Sequence, residues 1–163
     1  MTNGKILSFQ RQGYYLLKFT GDVRMTLCGS LSGHIDAILG GHEVKRVVID
    51  MLTAEGLDST TLGLLAKLGL HCRKNHGFNA EVFCLDQSIL RTLESMSFDE
   101  IFDIFDRIPH LADGDQLSEI KAQSSPTDEL RQQVLEAHRI LVTLSDNNHR
   151  EFGCVVQALE SEA

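Results

Sequence analysis

The hydrophobic and polar positions of residues 1–112 alternate between short β-prone runs and longer stretches with helical spacing. Apolar, aromatic or β-branched runs predict strands over residues 5–10, 14–19, 44–51, 81–85 and 101–105. Apolar residues three or four apart predict helices over residues 30–39, 59–75 and 89–96. Gly21 and Asp22 predict a turn after the second strand. The order ββαβαβαβ therefore predicts an α/β fold, in which a mixed sheet of four to five strands has parallel central strands and helical crossovers.

The C-terminal part of the chain has a different pattern, which follows a small, polar stretch at residues 123–128. Apolar residues recur there mostly at steps of three or four, as in an amphipathic helix that packs on a surface. They include Leu130, Val134, Leu141, Leu144, Phe152, Val155 and Leu159. Asp146, Asn147 and Asn148 are poor helix formers and predict a kink or two separate helices.

Charge also divides the chain. Residues 1–112 hold 13 acidic and 11 basic residues, a net charge of −2, whereas residues 113–163 hold 10 acidic and 4 basic residues, a net charge of −6. We therefore predict a domain at residues 1–112 and an acidic C-terminal helical extension at residues 113–163, with helices over residues 128–160 that pack on the domain or on a partner.

The whole chain has 163 residues and a formal net charge of −8. An acidic chain lacks the basic field that phosphate backbones require, so we expect no nucleic-acid partner. No apolar run approaches the roughly 18 residues of a membrane span, and the N-terminus has no signal-peptide core, so we expect a cytoplasmic protein without a membrane partner. The four cysteines have no Cys-x-x-Cys spacing and are expected to be buried, reduced thiols. They are Cys28, Cys72, Cys84 and Cys154.

Motifs that carry catalysis or bind cofactors are missing from the sequence. There is no phosphate-binding Gly-rich loop, no dinucleotide fingerprint and no Gly-x-Ser-x-Gly nucleophile motif. We therefore expect no catalytic residue, no cofactor and no enzymatic activity. His71, Cys72 and His76 resemble a metal cluster, but adjacent helical residues point in different directions and no second Cys/His pair is present, so we expect no metal site.

The most informative segment runs from Asp58 to Leu64, after a buried strand and at the start of a helix. Asp58 is a good N-cap residue, and capping alone accounts for hydroxyl residues at such a position. At 100° per residue, Thr60, Gly63 and Lys67 lie opposite the helix face that packs on the sheet. We therefore expect an accessible helix N-terminus and a docking surface with Leu64 as its exposed apolar anchor. A hydroxyl at a helix N-terminus is also a good phosphorylation site, because that end favours anions.

This segment resembles the STAS domain of anti-sigma-factor antagonists. In that family the phosphorylated serine lies in an Asp-Ser-[Ser/Thr]-Gly-[Leu/Ile]-Gly segment after a buried strand, and residues 58–63 (DSTTLG) are similar to it. The resemblance covers residues 5–110, including the turn at residues 20–24 and the later strand and helix. Two positions depart from the family pattern: Thr61 replaces a glycine, and Arg24 replaces an acidic residue near the serine loop.

The resemblance implies a switch protein. Anti-sigma-factor antagonists of this family bind an anti-sigma factor when they are unphosphorylated. A serine protein kinase with an ATPase-type fold phosphorylates them, and a PP2C-type, metal-dependent phosphatase removes the phosphate. The resemblance implies Ser59 as the phosphoacceptor, with Thr60 as the second choice. The extension is similar to that of longer antagonists in proteobacterial partner-switching systems. The residues expected at the partner surface are Asp22, Arg24, Asp58, Thr61, Gly63, Leu64 and Lys67.

The main alternative is a receiver-type signalling domain that is phosphorylated on an aspartate. Asp50 lies near the end of the predicted strand at residues 44–51, where receiver domains place that aspartate. Such domains also need an acidic pair after the first strand and a lysine after the last, and neither is present here. The receiver interpretation is therefore weaker than the STAS interpretation.

Overall fold

The computed structural model of the chain describes residues 3–41, 43–109, 117–123 and 126–162. Its strands are β1 (Lys5–Arg11), β2 (Tyr14–Val23), β3 (Arg46–Leu57), β4 (Ala80–Phe83), β5 (Phe102–Phe105) and β6 (Ser118–Ile120). Its α-helices are α1 (Cys28–Leu39), α2 (Ser59–His71), α3 (Gln87–Ser95), α4 (Thr127–Leu144) and α5 (Asp146–Ser161). The predicted α/β fold with a C-terminal helical region is confirmed.

All six strands form one mixed sheet in the order β5-β4-β3-β2-β1-β6. The four strands β2 to β5 run parallel, whereas β1 is antiparallel to both of its neighbours. The sequence pattern predicted four to five strands and missed β6, whose three residues are too few to show a period. Parallel β2, β3, β4 and β5 place the carboxyl ends of these strands at one edge, where the helices begin.

The predicted turn at Gly21 and Asp22 is wrong, because both residues lie inside β2. Gly21 has a φ of 68°, and the register of the β2–β3 ladder shifts between Gly21 and Asp22. Glycine adopts this left-handed conformation at little cost, so β2 accommodates a local irregularity here and continues to pair with β3. As a result, β2 extends to Val23, beside Leu57 at the end of β3.

The main core lies between the sheet and helices α1, α2 and α3. Alternate residues of β2 and β3, among them Leu17, Phe19 and Ile49, point into it and are fully buried. The opposite face of the sheet carries a smaller apolar cluster around Leu16 and Val48. The helices therefore lie over one face of the sheet, where they are fixed by the larger apolar area.

Helices α4 and α5 form an antiparallel pair that packs on the domain, as the amphipathic pattern predicted. Helix α4 lies on α2 and α1, and α5 lies along α4. The predicted interruption is confirmed: α4 ends at Leu144, and the Ser145 hydroxyl caps α5 by accepting from the Asn148 amide at 3.1 Å. The buried Asn148 side chain donates to the Met96 carbonyl at 2.9 Å and so ties the start of α5 to the end of α3.

The predicted boundary between residues 112 and 113 remains a prediction, since residues 110–116 lie outside the described residues. Strand β6 falls within the range assigned to the extension, yet it pairs with β1 in the sheet. Ile120 of β6 joins the main core opposite Ile6. The sheet thus includes residues on both sides of that boundary.

Gly69 tests how tightly α2 packs on the sheet. A Cβ at this position would lie 2.6 Å from the ring of the buried Phe102, so Gly69→Ala should lower the free energy of unfolding by about 1–3 kcal/mol. Gly33→Ala is the matched control, because Gly33 is an exposed helical glycine with no atom within 4 Å, and it should stabilise by about 0.5–1 kcal/mol. Urea denaturation measures both, and equal shifts would contradict the packing.

Thiol reactivity tests the burial of the cysteines. Burial raises the pKa of Cys72 to about 11 and also raises the pKa values of Cys28 and Cys84, so these thiols hold little reactive thiolate. The expectation of a buried thiol is wrong for Cys154, which is exposed on α5. Ellman's reagent at pH 8 should therefore modify one thiol rapidly in the folded protein and all four in urea. A second rapid thiol under native conditions would disagree with this structure.

Candidate functional site

The start of α2 follows directly on the end of β3. Asp58 lies between the two elements in an extended conformation, and its Oδ1 accepts a hydrogen bond from the Thr61 amide at 2.9 Å. This bond satisfies one of the free amides at the helix start. Ser59 is therefore the first residue of α2, with its half-buried hydroxyl at the positive end of the helix dipole.

The end of β2 lies beside this helix start. The Asp58 amide donates to the Val23 carbonyl at 3.4 Å, and Asp22 pairs with Gly56. A Cβ at Gly56 would lie 2.5 Å from the Asp22 carboxylate, which would then have to turn aside. The expected proximity of residues 20–24 to the serine segment thus follows from the β2–β3 pairing.

Arg24, the residue that departs from the family pattern, is already paired. Its Nε donates to Asp22 Oδ2 at 2.8 Å, while the side chain is 60% exposed. An ion pair of this exposure contributes little to stability. Turning the guanidinium from Asp22 toward a new anion at the neighbouring helix start therefore costs little free energy.

Helix α4 covers the face of α2 that was expected to be exposed. Leu64 is 1% exposed and Thr60 is 4% exposed, so the expectations of an exposed Leu64 anchor and an outward Thr60 are wrong. The two helices cross at Gly63, where a Cβ would lie 2.3 Å from the Ala137 carbonyl oxygen. Helix geometry identified this face correctly as the one turned away from the sheet, but it could not show that α4 packs on it.

Ser59 meets His138 of α4 at this crossing. The serine Oγ lies 2.8 Å from His138 Nε2, and His138 Nδ1 lies 2.7 Å from the Val134 carbonyl. Because a carbonyl only accepts, Nδ1 carries a proton and donates to Val134. In the neutral ring Nε2 then accepts from the Ser59 hydroxyl. His138 is 4% exposed and its ring stands edge-on to Phe152 of α5, so both C-terminal helices contribute to this contact.

Two further polar contacts join α4 to the domain. The Lys67 ammonium bridges Glu136 of α4 at 2.5 Å and Asp36 of α1 at 3.2 Å. Partial burial acts to lower the pKa of Lys67, but the hydrogen bonds to the two carboxylates outweigh it and the pKa is raised. The Cys28 thiol lies 3.4 Å from Gln133 Oε1 of α4. Its pKa is raised by burial and, second, by the Asp58 carboxylate, so α1, α2 and α4 meet at the start of α2.

The residues that α4 brings to the site were missed from the sequence. Gln133, Glu136 and His138 were read as part of an amphipathic helix without a specific partner. One signal was present: Val134, His138 and Leu141 share a helix face by their spacing of four and three, so a histidine lies within an otherwise apolar stripe. A polar residue in such a stripe needs a hydrogen-bond partner, but the sequence does not identify that partner as Ser59.

A family model of the STAS domain matches residues 7–110, which is more than half of the chain. The chain belongs to the STAS domain family. The match covers β1 through β5 and helices α1 to α3, and it includes Ser59 and the capping Asp58. The family is generally not enzymatic and includes anti-sigma-factor antagonists and sulfate-transporter-like proteins. No curated protein matches the chain well enough to count as a relative.

Asp50 of the STAS domain does not have the surroundings of a phosphoacceptor aspartate. It lies in the middle of β3 and is 4% exposed, whereas the sequence placed it near a strand end. Its carboxylate pairs with Lys18 at 3.5 Å and accepts from the Leu52 amide at 2.9 Å. β3 continues for seven residues past Asp50, to Leu57, so a phosphate donor could not reach this carboxylate at the strand end.

The histidines at the end of α2 form local contacts. His71 Nδ1 lies 2.7 Å from the Asn75 side-chain amide, and the rings of His71 and His76 are 5.3 Å apart. Within residues 3–41, 43–109, 117–123 and 126–162, no three or more His, Cys, Asp or Glu side chains are grouped to hold a metal ion. Among the same residues, no helix has the length and apolar composition needed to cross a bilayer.

His138→Ala tests the contact between α4 and the STAS domain. The substitution removes the partner of the Ser59 hydroxyl and the ring that packs on Phe152, so the free energy of unfolding should fall by about 1–3 kcal/mol. His149→Ala serves as the control, because His149 is exposed on α5, and should change stability by less than about 0.5 kcal/mol. Urea denaturation compares them. Equal effects of the two substitutions would show that His138 contributes nothing specific.

Proposed function

We propose that the chain is an anti-sigma-factor antagonist whose partner binding is controlled by reversible phosphorylation of Ser59. The observation that carries this proposal is the position of Ser59. It is the first residue of α2, directly after the N-cap residue Asp58 that follows β3, inside a STAS domain. The proposed partners are an anti-sigma factor, a serine protein kinase with an ATPase-type fold and a PP2C-type phosphatase. In this role the chain acts in the cytoplasm and is not an enzyme.

The electrostatics of the helix start support a phosphorylation switch. A phosphate adds about −1.5 to −2 charges, and the N-terminus of a helix stabilises such a charge. The same charge, left unpaired in an interface, costs roughly 3–5 kcal/mol, which is a hundredfold or more in affinity. One phosphate can therefore leave the domain folded and abolish the binding of a partner that contacts this end.

Burial favours Ser59 over Thr60 as the acceptor. The Ser59 side chain is half-buried, whereas Thr60 is only 4% exposed. A kinase must bring the hydroxyl into its own active site, which a buried threonine inside a helix does not permit. Arg24, beside this helix start, supplies a cation that can turn from Asp22 toward the phosphate.

The partner surface is proposed to comprise the end of β2, the first turn of α2 and the face of α2 that bears Gly63 and Lys67. Its members are Asp22, Arg24, Asp58, Thr61, Gly63, Leu64 and Lys67. Asp58 and Thr61 shape the helix start by their mutual hydrogen bond, and Thr61 is buried. Gly63 matches the second glycine of the family's segment, and the backbone of α4 approaches α2 closely there.

Mass spectrometry of the full chain recovered from its native cells tests this proposal. Phosphate is expected on Ser59, and the Ser59→Ala chain should carry none on residues 58–61. Thr60→Ala is the matched control, which removes the neighbouring hydroxyl and should leave phosphorylation of Ser59 intact. Affinity capture with Ser59→Ala and Ser59→Glu baits should retain the anti-sigma factor on the first bait only. Phosphate found only outside residues 58–61 would overturn the assignment of Ser59.

A further inference from the structure

Helix α4 occupies the surface that the proposed function assigns to a partner. Gly63 lies against Ala137 of α4, Lys67 is bound by Glu136 of α4, and Leu64 beside Gly63 is buried. Ser59, the proposed phosphoacceptor, is bonded to His138 of the same helix. A second protein cannot contact this face of α2 while α4 lies on it.

The contact is specific in its geometry. The missing side chain at Gly63 lets the backbone of α4 come within contact distance at Ala137. On either side of this crossing, His138 meets Ser59 and Glu136 meets Lys67. Three consecutive residues of α4 therefore meet three positions spread over two turns of α2.

The C-terminal pair is held by less apolar burial than the rest of the protein. To the buried residues of the main core α4 supplies Ala137 and Leu141, whereas α2 supplies five, Leu62, Leu64, Leu65, Ala66 and Leu68. Leu135 of α4 is also buried, outside that core cluster. Helix α5 buries no apolar residue completely, and its buried residue is Asn148. Partly buried Leu130, Ile140, Leu144 and Phe152 pack against the core, and the polar contacts and the Asn148 bond to Met96 add to the attachment. Such an element can open at a free energy well below that of global unfolding.

We propose that the α4–α5 pair is an intramolecular lid on α2, so that partner binding and phosphorylation of Ser59 both require α4 to leave this surface. The inference rests on the proposed function, because it concerns access to the same serine and the same helix face. By linkage, a change that favours the open lid and lies outside the partner interface strengthens binding at α2 to the same extent. A phosphate on Ser59 lies inside that interface, so it opposes the partner as well as α4. A partner that displaces α4 must present matching chemistry: a helix with a small residue opposite Gly63 and a carboxylate opposite Lys67.

Phosphorylation of Ser59 acts against the closed lid. The phosphate replaces the proton that Ser59 donates to His138, so in the neutral ring two acceptors would face each other. A proton taken up at Nε2 would restore a hydrogen bond but would place a charge pair in this buried contact. His138 cannot turn its other nitrogen toward the phosphate without breaking the bond to Val134. The buried ring also leaves little space for the phosphate between the helices. A phosphate introduced while the lid is open therefore keeps it open.

Hydrogen exchange on full-length variants tests the lid without any partner. Gly63→Ala places a Cβ against the Ala137 carbonyl, and Ala137→Leu enlarges a fully buried residue from the other side while leaving α2 unchanged. Both should speed amide exchange across residues 127–161 by about tenfold or more, with β2, β3 and β4 unaffected. Gly33→Ala is the matched helical control and should not speed exchange across residues 127–161. Gly69→Ala should loosen the domain core without selectively releasing α4.

The phosphate effect is measured in the same way. Ser59→Glu should speed exchange in residues 127–161, whereas Ser88→Glu, an acid in the exposed first turn of α3, should not. Slower exchange in Ser59→Glu would mean that the charge tightens the contact with His138 and would overturn the lid. Unchanged exchange in both Gly63→Ala and Ala137→Leu would overturn it as well.

The rate of Ser59 phosphorylation in native cell extract with Mg-ATP tests the lid and the proposed function separately. Faster phosphate incorporation at Ser59 in Ala137→Leu than in the unmodified chain, by about tenfold, supports both. Equal rates of incorporation at Ser59 would overturn the lid and leave the proposed function standing. Faster exchange in Ala137→Leu with no phosphate on Ser59 in either chain would instead contradict the proposed function while the lid contact stands.

Discussion

The close crossing of α2 and α4 at Gly63 is the contact on which the state of the candidate site depends. Any side chain at Gly63 would overlap the carbonyl of Ala137, so the backbones approach only because glycine stands there. This approach brings His138 within hydrogen-bond distance of Ser59 and Glu136 within reach of Lys67. Without it, the start of α2 would be an open helix N-terminus of the kind that the sequence suggests.

Two demands meet at this crossing. An apolar helix face bearing Leu64 needs to be covered, because exposing a leucine forfeits roughly 1.5–3 kcal/mol of burial. The proposed function, however, requires this face to be presented to a partner. An intramolecular helix with few buried apolar residues satisfies both, since it protects the face when the protein is alone and leaves at modest cost.

The charges around the start of α2 decide how well a phosphate on Ser59 is accommodated. Asp58 caps α2, so a negative charge is already present at the helix start. Burial raises the pKa of the nearby Cys28 thiol, and the Asp58 carboxylate adds to that effect. A phosphate on Ser59 would add to this negative charge, and the helix dipole and Arg24 are the groups near this end that can compensate. The local fold thus tolerates a phosphate better than the interface with α4 does.

The sequence by itself determined most of the α/β fold and the place of the serine. Periodicity gave the order of strands and helices, because apolar spacing directly reflects which residues face the core, and the capped segment at Asp58 and Ser59 is local chemistry. The prediction from sequence failed at Gly21, because glycine favours a turn and a strand irregularity alike. It also failed at β6, which is too short to show a period. Only the tertiary structure decided that Leu64 and Thr60 are buried and that His138 meets Ser59. These facts depend on contacts between residues some eighty positions apart, and an amphipathic pattern shows that a helix face is covered but not what covers it.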